Sequence, residues 1–590
     1  MNATRTGALF VATVLLVVGA AGELRAATDP PLVTHAGVVA SANPVASQVG
    51  AAVLARGGNA VDAAVATVFA LGVVEPQSSG IGGGGFALVY VASEKKVYVY
   101  DFREVAPAAL GPEAFIDAST GKVDPMRSRI GGLSIGVPGE VAGLGRMLNR
   151  HGRLSWRRVI APAIRLARDG FPTAWFEVVA ISRLTKLVDP DDPRFRRLHA
   201  FIAPGGRTLA AGDEISRPEL AKTLETIAAG GPRAFYQGAV ADDVVRAVKD
   251  AGGVITADDL RAYTIDEPAA PLWGTWHGMK LATMPLPSSG GIALLETLAL
   301  IDASGIDLSK LGVGSSAALH VIAEAMRHAF ADRARFLGDA DAADLIAQKL
   351  LDPARLAKVA KRIDPDHVQA HDSYGDADLA PRPPPPKDGG TSHLCVIDRD
   401  GNAVALTTTV NGYFGAGVIT DGGIVLNDEI DDFQIARGNA NQFGLVQSDL
   451  NLVGAGKRPL SSMSPTLVFD QDGKVIACAG SAGGPGIIST TIEILLDMFV
   501  WNLDPAAAIA QPRVHDQWLP DELAIEAQLP DDVVDGLKRR GHKITIKPWS
   551  TAAQAIRVLP DGTRQAASDP RHAAAPAAEP EPTSSRSAAP

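Results

Sequence analysis

The sequence has almost no cysteine. Two thiols in 590 residues cannot build a disulfide framework or a four-thiolate zinc site. Positive charge is also short: 55 Lys+Arg stand against 66 Asp+Glu, a formal net charge of −11. That balance argues against nucleic-acid binding, which needs a clustered basic surface. Long apolar runs are missing after the N-terminus, so no later segment is expected to span a bilayer. The 60 Gly and 40 Pro follow no collagen period and fall short of a low-complexity fraction. What remains is ordinary: 46% hydrophobic and 21% charged residues exclude wholesale disorder. The length permits several domains or one large core of several layers.

The N-terminus reads as a targeting segment. Arg5 opens it, residues 7–19 are apolar or small, and Ala26 and Ala27 offer a cleavage site. The apolar run is short for a membrane span, so residues 1–27 are expected to be a signal peptide. The mature protein is then exported, periplasmic or secreted. Cys395 and Cys478 fall in expected strands and read as buried small hydrophobes rather than a staple.

Downstream, Asn59 caps a helix with Asp62 in its first turn, and residues 61–71 are apolar nearly all round. A glycine run at 82–85 leads into a hairpin of residues 86–90 and 96–102. Residues 316–337 form the clearest amphipathic helix, closed by Gly338. At 379–390 the composition breaks: four consecutive prolines enforce extended geometry, and Gly389-Gly390 release it. Read on composition alone, this is an interdomain linker. Beyond it, Asp400-Gly401 and Asp472-Gly473 mark two further hairpins. Helices at 487–501 and 505–510 follow, the second capped by Asp504 with Pro505 in its first turn. Paired hairpins between helices suggest two stacked sheets with helices outside.

Three patterns carry little chemistry. Gly132-Leu133-Ser134-Ile135-Gly136 matches the G-x-S-x-G elbow, but Pro138 and Gly139 forbid the helix it requires. His320, Glu324 and His328 lie four apart on one helix, and a polar helical face explains them without a metal. The run at 80–85 precedes a strand, the wrong context for a dinucleotide site. No metal or organic cofactor is expected.

Thr391 is the strong candidate. A threonine that opens a strand is usually only a β-branched strand residue. Here a rigid proline run and Gly-Gly precede it, which makes an accessible scissile position. Cleavage of the Gly390–Thr391 bond would free an α-amine with pKa near ~8. That amine can take the proton of its own hydroxyl, giving nucleophile and base in one residue.

These residues and their neighbours resemble the γ-glutamyltranspeptidase (glutathione hydrolase) family. Thr391-Ser392-His393-Leu394 and residues 398–402 are similar to the start of its small subunit. The likeness continues through Asn427-Asp428-Glu429-Ile430-Asp431-Asp432-Phe433, residues 457–466, Gly480-Ser481-Ala482-Gly483-Gly484, residues 512–522 and residues 568–571. Upstream, residues 57–64, 82–86 and 101–107 are similar to the large subunit. Together the motifs cover roughly residues 35–572.

The resemblance implies an α/β (α+β) fold, a four-layer αββα sandwich of the N-terminal-nucleophile type built jointly by two subunits. It implies a proenzyme divided into a leader (1–27), a large subunit (28–390), a small subunit (391–572) and a disordered tail (573–590). Thr391 becomes the nucleophile, Thr409 supports its hydroxyl, and Gly483 and Gly484 supply oxyanion N–H groups. Arg103, Ser461 and Ser462 would take the substrate α-carboxylate; Glu429, Asp432 and Asn411 would take its α-ammonium. The implied substrates are glutathione and other γ-glutamyl compounds, with water, amino acids or dipeptides as acceptors. Phe443 stands where several bacterial members carry a lid tyrosine. Two rivals remain: a glutaryl or cephalosporin-type acylase of the same superfamily, and an unprocessed exported binding homologue.

Overall fold

The computed structural model describes residues 29–339, 342–375, 390–445, 447–548 and 551–580. The expected leader and the proline run before Gly390 lie outside them. Two antiparallel sheets occupy the centre. One has the strand order Ala577–Ala578, Val38–Ser41, Gly390–Ile397, Ala403–Asn411, Gly84–Val91, Lys96–Phe102. The other runs Leu32–Thr34, Arg564–Ser568, Ala552–Val558, Val475–Ala482, Thr466–Phe469, Met279–Thr283, Leu272–Trp276.

Alternation along single strands produces the layers. On Gly390–Ile397, Leu394 and Val396 pack with Val404 and Leu406 under the helices Pro44–Ala55 and Ala60–Val74. Cys395 and Ile397 point the other way, with Ala403 and Ala405, onto Leu467, Cys478 and Ile556 of the second sheet. The far side of that sheet, including Val468, Ala477 and Ala555, lies under the helices Gly290–Ser304, Ser316–Phe336 and Gly486–Phe499. Three apolar slabs therefore separate four layers, the αββα sandwich expected. Strands on both sides of the proline run share one sheet, so that run joins no two independent domains.

Local chemistry explains the boundaries. Asn59 accepts from the N–H groups of Val61 and Asp62, Asp62 closes the capping box, and every residue of Ala60–Val74 except Gly72 is buried. The hairpins form where Asp400-Gly401 and Asp472-Gly473 supply the turn, with Gly401 and Gly473 at φ +83° and +78°.

The structure corrects four expectations. Cys395 and Cys478 form a disulfide that ties the two sheets together. They are 83 residues apart, a separation that says nothing about facing strands. The tail is ordered to residue 580: Ala577–Ala578 pairs with Val39 and Val38, and Glu579 binds Arg399 at 2.7 Å. An edge strand leaves unpaired backbone groups, and this short alanine strand covers them. The helix Ser316–Phe336 is not amphipathic. His320, Glu324, Arg327, His328, Asp332 and Arg333 are all buried, because the segment around Gln369 and Tyr374 and the helix Asp531–Arg539 cover the side expected to meet water. Finally, Gly390 is buried within a strand and not displayed on an exposed linker.

Candidate active site

Thr391 is the second residue of its strand, and strand alternation places its side chain on the face shared by His393 and Cys395, between the sheets. Directly opposite is Thr409, whose Oγ1 lies 3.0 Å from Thr391 Oγ1. Thr409 donates its own proton to the Gly390 carbonyl oxygen at 2.7 Å, so the Thr391 hydroxyl donates to Thr409. The Asn411 N–H also points at Thr409 Oγ1, at 2.8 Å. One hydroxyl thus bridges a second hydroxyl and the carbonyl that precedes it. Gly390 has to be glycine, since a Cβ there would stand 2.5 Å from the Gln77 carbonyl oxygen.

These groups open onto a narrow cleft, lined by Arg103, Asn411, Glu429, Asp432, Ser461 and Ser462 beside the two threonines. Glu429–Asp432 is a single 3₁₀ turn. Residues three apart eclipse in such a turn, so Glu429 and Asp432 share the face toward the cleft. Asp428 and Asp431 are taken up elsewhere: Asp428 accepts the Gly412 N–H at 2.6 Å, and Asp431 accepts from Ser128 Oγ and the Gln442 N–H, both at 2.7 Å. Asn427 anchors the turn by donating to the carbonyls of Gly82 and Gly136. The G-x-S-x-G sequence is therefore a scaffold under the acidic turn.

Arg103, 1% exposed, forms ion pairs with Glu429 and, at 2.6 Å, with Asp432, and donates from Nε to the Pro459 carbonyl at 3.1 Å. Glu104 lies 3.8 Å away, and its two oxygens make no hydrogen bond among the described residues. Carboxylates outnumber the guanidinium. Burial pushes Glu104 up to about 8, against the pull of Arg103. It likewise raises Glu429 and Asp432, again opposed by Arg103. Burial alone would lower Arg103, but the surrounding carboxylates hold it above its ordinary value. The cluster has a spare acceptor face and suits a ligand that carries both signs of charge.

Across the cleft, Gly483 and Gly484 follow the strand Val475–Ala482 with φ of +113° and +58°. Both conformations favour glycine, and a Cβ on Gly484 would sit 2.8 Å from the Phe443 ring. The helix Gly486–Phe499 starts immediately beyond, so its N-terminal N–H groups lie next to this corner.

A family model described as Gamma-glutamyltranspeptidase matches residues 46–579. The chain belongs to the gamma-glutamyltranspeptidase family. The glutathione hydrolase proenzyme of Escherichia coli (strain K12) is 39% identical over 542 residues, covering 92% of this chain and 91% of that protein. Among solved structures, the cephalosporin acylase from Bacillus halodurans superposes with a TM-score of 0.81 at 26% identity, covering 93% of this chain and 97% of that one. The gamma-glutamyltranspeptidase of Helicobacter pylori superposes with a TM-score of 0.52 at 37% identity, covering 58% of this chain and 93% of that one.

Of the residues that the resemblance to the gamma-glutamyltranspeptidase family singled out, nine line one cleft: Arg103, Thr391, Thr409, Asn411, Glu429, Asp432, Ser461, Ser462 and Gly484. Gly483 adjoins Gly484 but is not part of the wall. Arg103 was expected to face a substrate carboxylate, and Glu429 and Asp432 an ammonium; here they hold each other. Asn411 was expected to meet the ammonium, yet its amide donates to the Asp428 carbonyl at 3.0 Å. Two contributors escaped the sequence reading. Asn441 donates to Asp432 Oδ1 at 3.1 Å, fastening the segment that carries Phe443 to the acidic turn. Arg333 donates from Nε to Ser289 Oγ at 2.9 Å, and that hydroxyl donates to the Ser461 carbonyl. Neither lies in a motif of its own, so no local signal pointed to them.

Proposed function

We propose that this chain is a self-cleaving γ-glutamyltranspeptidase and glutathione hydrolase with Thr391 as its nucleophile. The observation that carries this reading is the hydroxyl chain from Thr391 through Thr409 to the Gly390 carbonyl, at the mouth of a cleft holding both an arginine and two carboxylates. In maturation, Thr391 Oγ1 attacks the Gly390 carbonyl carbon and its proton leaves through Thr409. The C–N bond breaks as the nitrogen takes a proton, which leaves an ester between Gly390 and Thr391. Water hydrolyses that ester, giving a large chain that ends in a carboxylate and a small chain that starts at Thr391. Because Gly390 is buried, attack from within accounts for cleavage better than an external protease does.

In turnover, the freed α-amine accepts the Oγ1 proton as the hydroxyl attacks the γ-carbonyl of the substrate. The N–H groups of Gly483 and Gly484 stabilise the oxyanion, and losing one such donor typically costs ~10²–10³ in rate. The leaving amine departs with the proton. Water or an amine acceptor then resolves the threonyl ester. The α-carboxylate of the substrate displaces the acidic side chains from Arg103, and its ammonium takes the freed Glu429 and Asp432. The Cys395–Cys478 disulfide supports maturation in an oxidising compartment outside the cytosol. Among the described residues no helix is long and apolar enough to cross a membrane.

The whole-chain likeness to a cephalosporin acylase keeps a glutaryl donor as the second reading. A glutaryl group has no ammonium, so it would leave two buried carboxylates without a counter-charge. Release of p-nitroaniline from the γ-glutamyl and glutaryl anilides compares the two directly. We expect the γ-glutamyl anilide to be the faster substrate and a dipeptide to accelerate it. A faster glutaryl anilide would make the protein an acylase.

A further inference from the structure

On the far side of the second sheet, away from the cleft, three buried metal-ligating side chains converge. His320 and Glu324 are one turn apart on the helix Ser316–Phe336, and His542 arrives from the loop between the helix Asp531–Arg539 and the strand Ile544–Ile546. One ligand atom from each lies within 4.8 Å of the other two. The helical spacing alone had suggested His328 as the third member. His328 instead turns to Gln369, 3.1 Å from its Nε2, and a histidine distant in sequence takes the place.

We propose that His320 Nδ1, His542 Nε2 and the Glu324 carboxylate form a binding site for one divalent transition-metal ion, zinc by preference. None of the three residues lines the cleft, so the site is separate from the chemistry at Thr391.

The surroundings support it. His320 Nε2 lies 2.8 Å from the Asp364 carbonyl, which can only accept, so Nε2 carries the proton and Nδ1 presents its lone pair inward. A ligand histidine commonly has its other N–H fixed in this way. His542 Nε2 lies 2.8 Å from that lone pair; a metal between the rings requires its proton to move to Nδ1, which is buried with no partner among the described residues, a cost the metal–nitrogen bond must exceed. Tyr374 Oη donates to both Glu324 oxygens at 2.6 and 2.7 Å, and the Gln369 amide adds a further contact at 3.2 Å. Two imidazoles and a carboxylate are ligand types that zinc prefers.

Two arginines, Arg327 and Arg540, bring positive charge near the rings, and each has a carboxylate partner that offsets part of it. Arg327 pairs with Asp516 at 2.5 Å and is approached by Asp521 at 3.6 Å. Arg540 lies 3.9 Å from Asp366. The effect of occupancy would be to clamp the Asp531–Arg539 helix and its following strand onto Ser316–Phe336.

The test uses the full mature protein without a histidine tag, stripped by chelator, then given zinc and freed of excess by gel filtration. We expect one zinc per chain by elemental analysis, a rise in Tm with added zinc, and a tetrahedral visible spectrum when cobalt replaces it. His542→Ala should bind zinc at least ten-fold more weakly, and Tyr374→Phe about 10–100-fold more weakly, while His328→Ala should bind as wild type does. If His542→Ala fails to fold, Glu324→Gln takes its place, and the cobalt spectrum of the wild type decides independently. A stripped wild type that retains no zinc, or a His542→Ala that titrates like wild type, would overturn the proposal and leave a histidine–histidine hydrogen bond.

Discussion

At the scale of single residues, the site depends on placing two hydroxyls and a carbonyl in line and on surrounding one guanidinium with more carboxylate than it can neutralise. Asp432 pairs with Arg103, and in the proposed function it becomes the acceptor for the substrate ammonium. Replacing it with Ala removes a buried charged hydrogen bond of about 1.5–3 kcal/mol, roughly ten- to hundred-fold in affinity. We expect KM for a γ-glutamyl substrate to rise by about that factor, and for a glutaryl analogue by much less. Equal rises for both would make Asp432 a structural partner of Arg103 only. Thr391 stood out in the sequence as a strand threonine directly behind Gly-Gly, whereas Gly483 and Gly484 came only from the resemblance to the family. Asn441 and Arg333 could not be read from sequence, since each acts through a partner more than eight residues away.

At the scale of elements, local signals located starts and turns well. Asn59, Asp504 and the two Asp-Gly pairs mark real caps and hairpins, because those signals act within a few residues. Burial was harder to foresee. The helix Ser316–Phe336 carries charged side chains on the face that looks solvated, and only distant segments cover it.

The helix Gly486–Phe499 has a similar feature in Asp497, which burial pushes up to about 8 against the pull of Arg513. The folded state therefore holds this proton more tightly than the unfolded chain. The stability it contributes is fully present below the unfolded value near ~3.9 and is lost as pH rises toward about 8. Asp497→Asn should remove that slope. Chemical denaturation at both ends of the range should find the variant gaining on wild type as pH rises; a variant that loses ground at the alkaline end would contradict this.

At the scale of the whole molecule, the four layers could be anticipated from hairpins alternating with helices, and the motifs in order pointed to the family. The link between the sheets could not. Whether two buried cysteines meet depends on which strands face each other, and that is decided by packing hundreds of side chains. The disulfide joins the strand that begins at Thr391's neighbour Gly390 to the strand that ends just before Gly483. Replacing both cysteines with Ala should lower stability by about 2–4 kcal/mol, measured by urea titration. An unchanged midpoint would mean that the sheets are held by their apolar slab alone.

The central claim is that Thr391 cuts its own chain and then works from the new terminus. Wild-type protein and Thr391→Ala, purified alike, should be compared by denaturing gel and N-terminal sequencing. The account predicts two chains for wild type, the smaller beginning Thr-Ser-His-Leu, and one uncut, inactive chain for the variant. A Thr391→Ala protein cleaved at Gly390, or a wild-type protein active as a single chain, would contradict it.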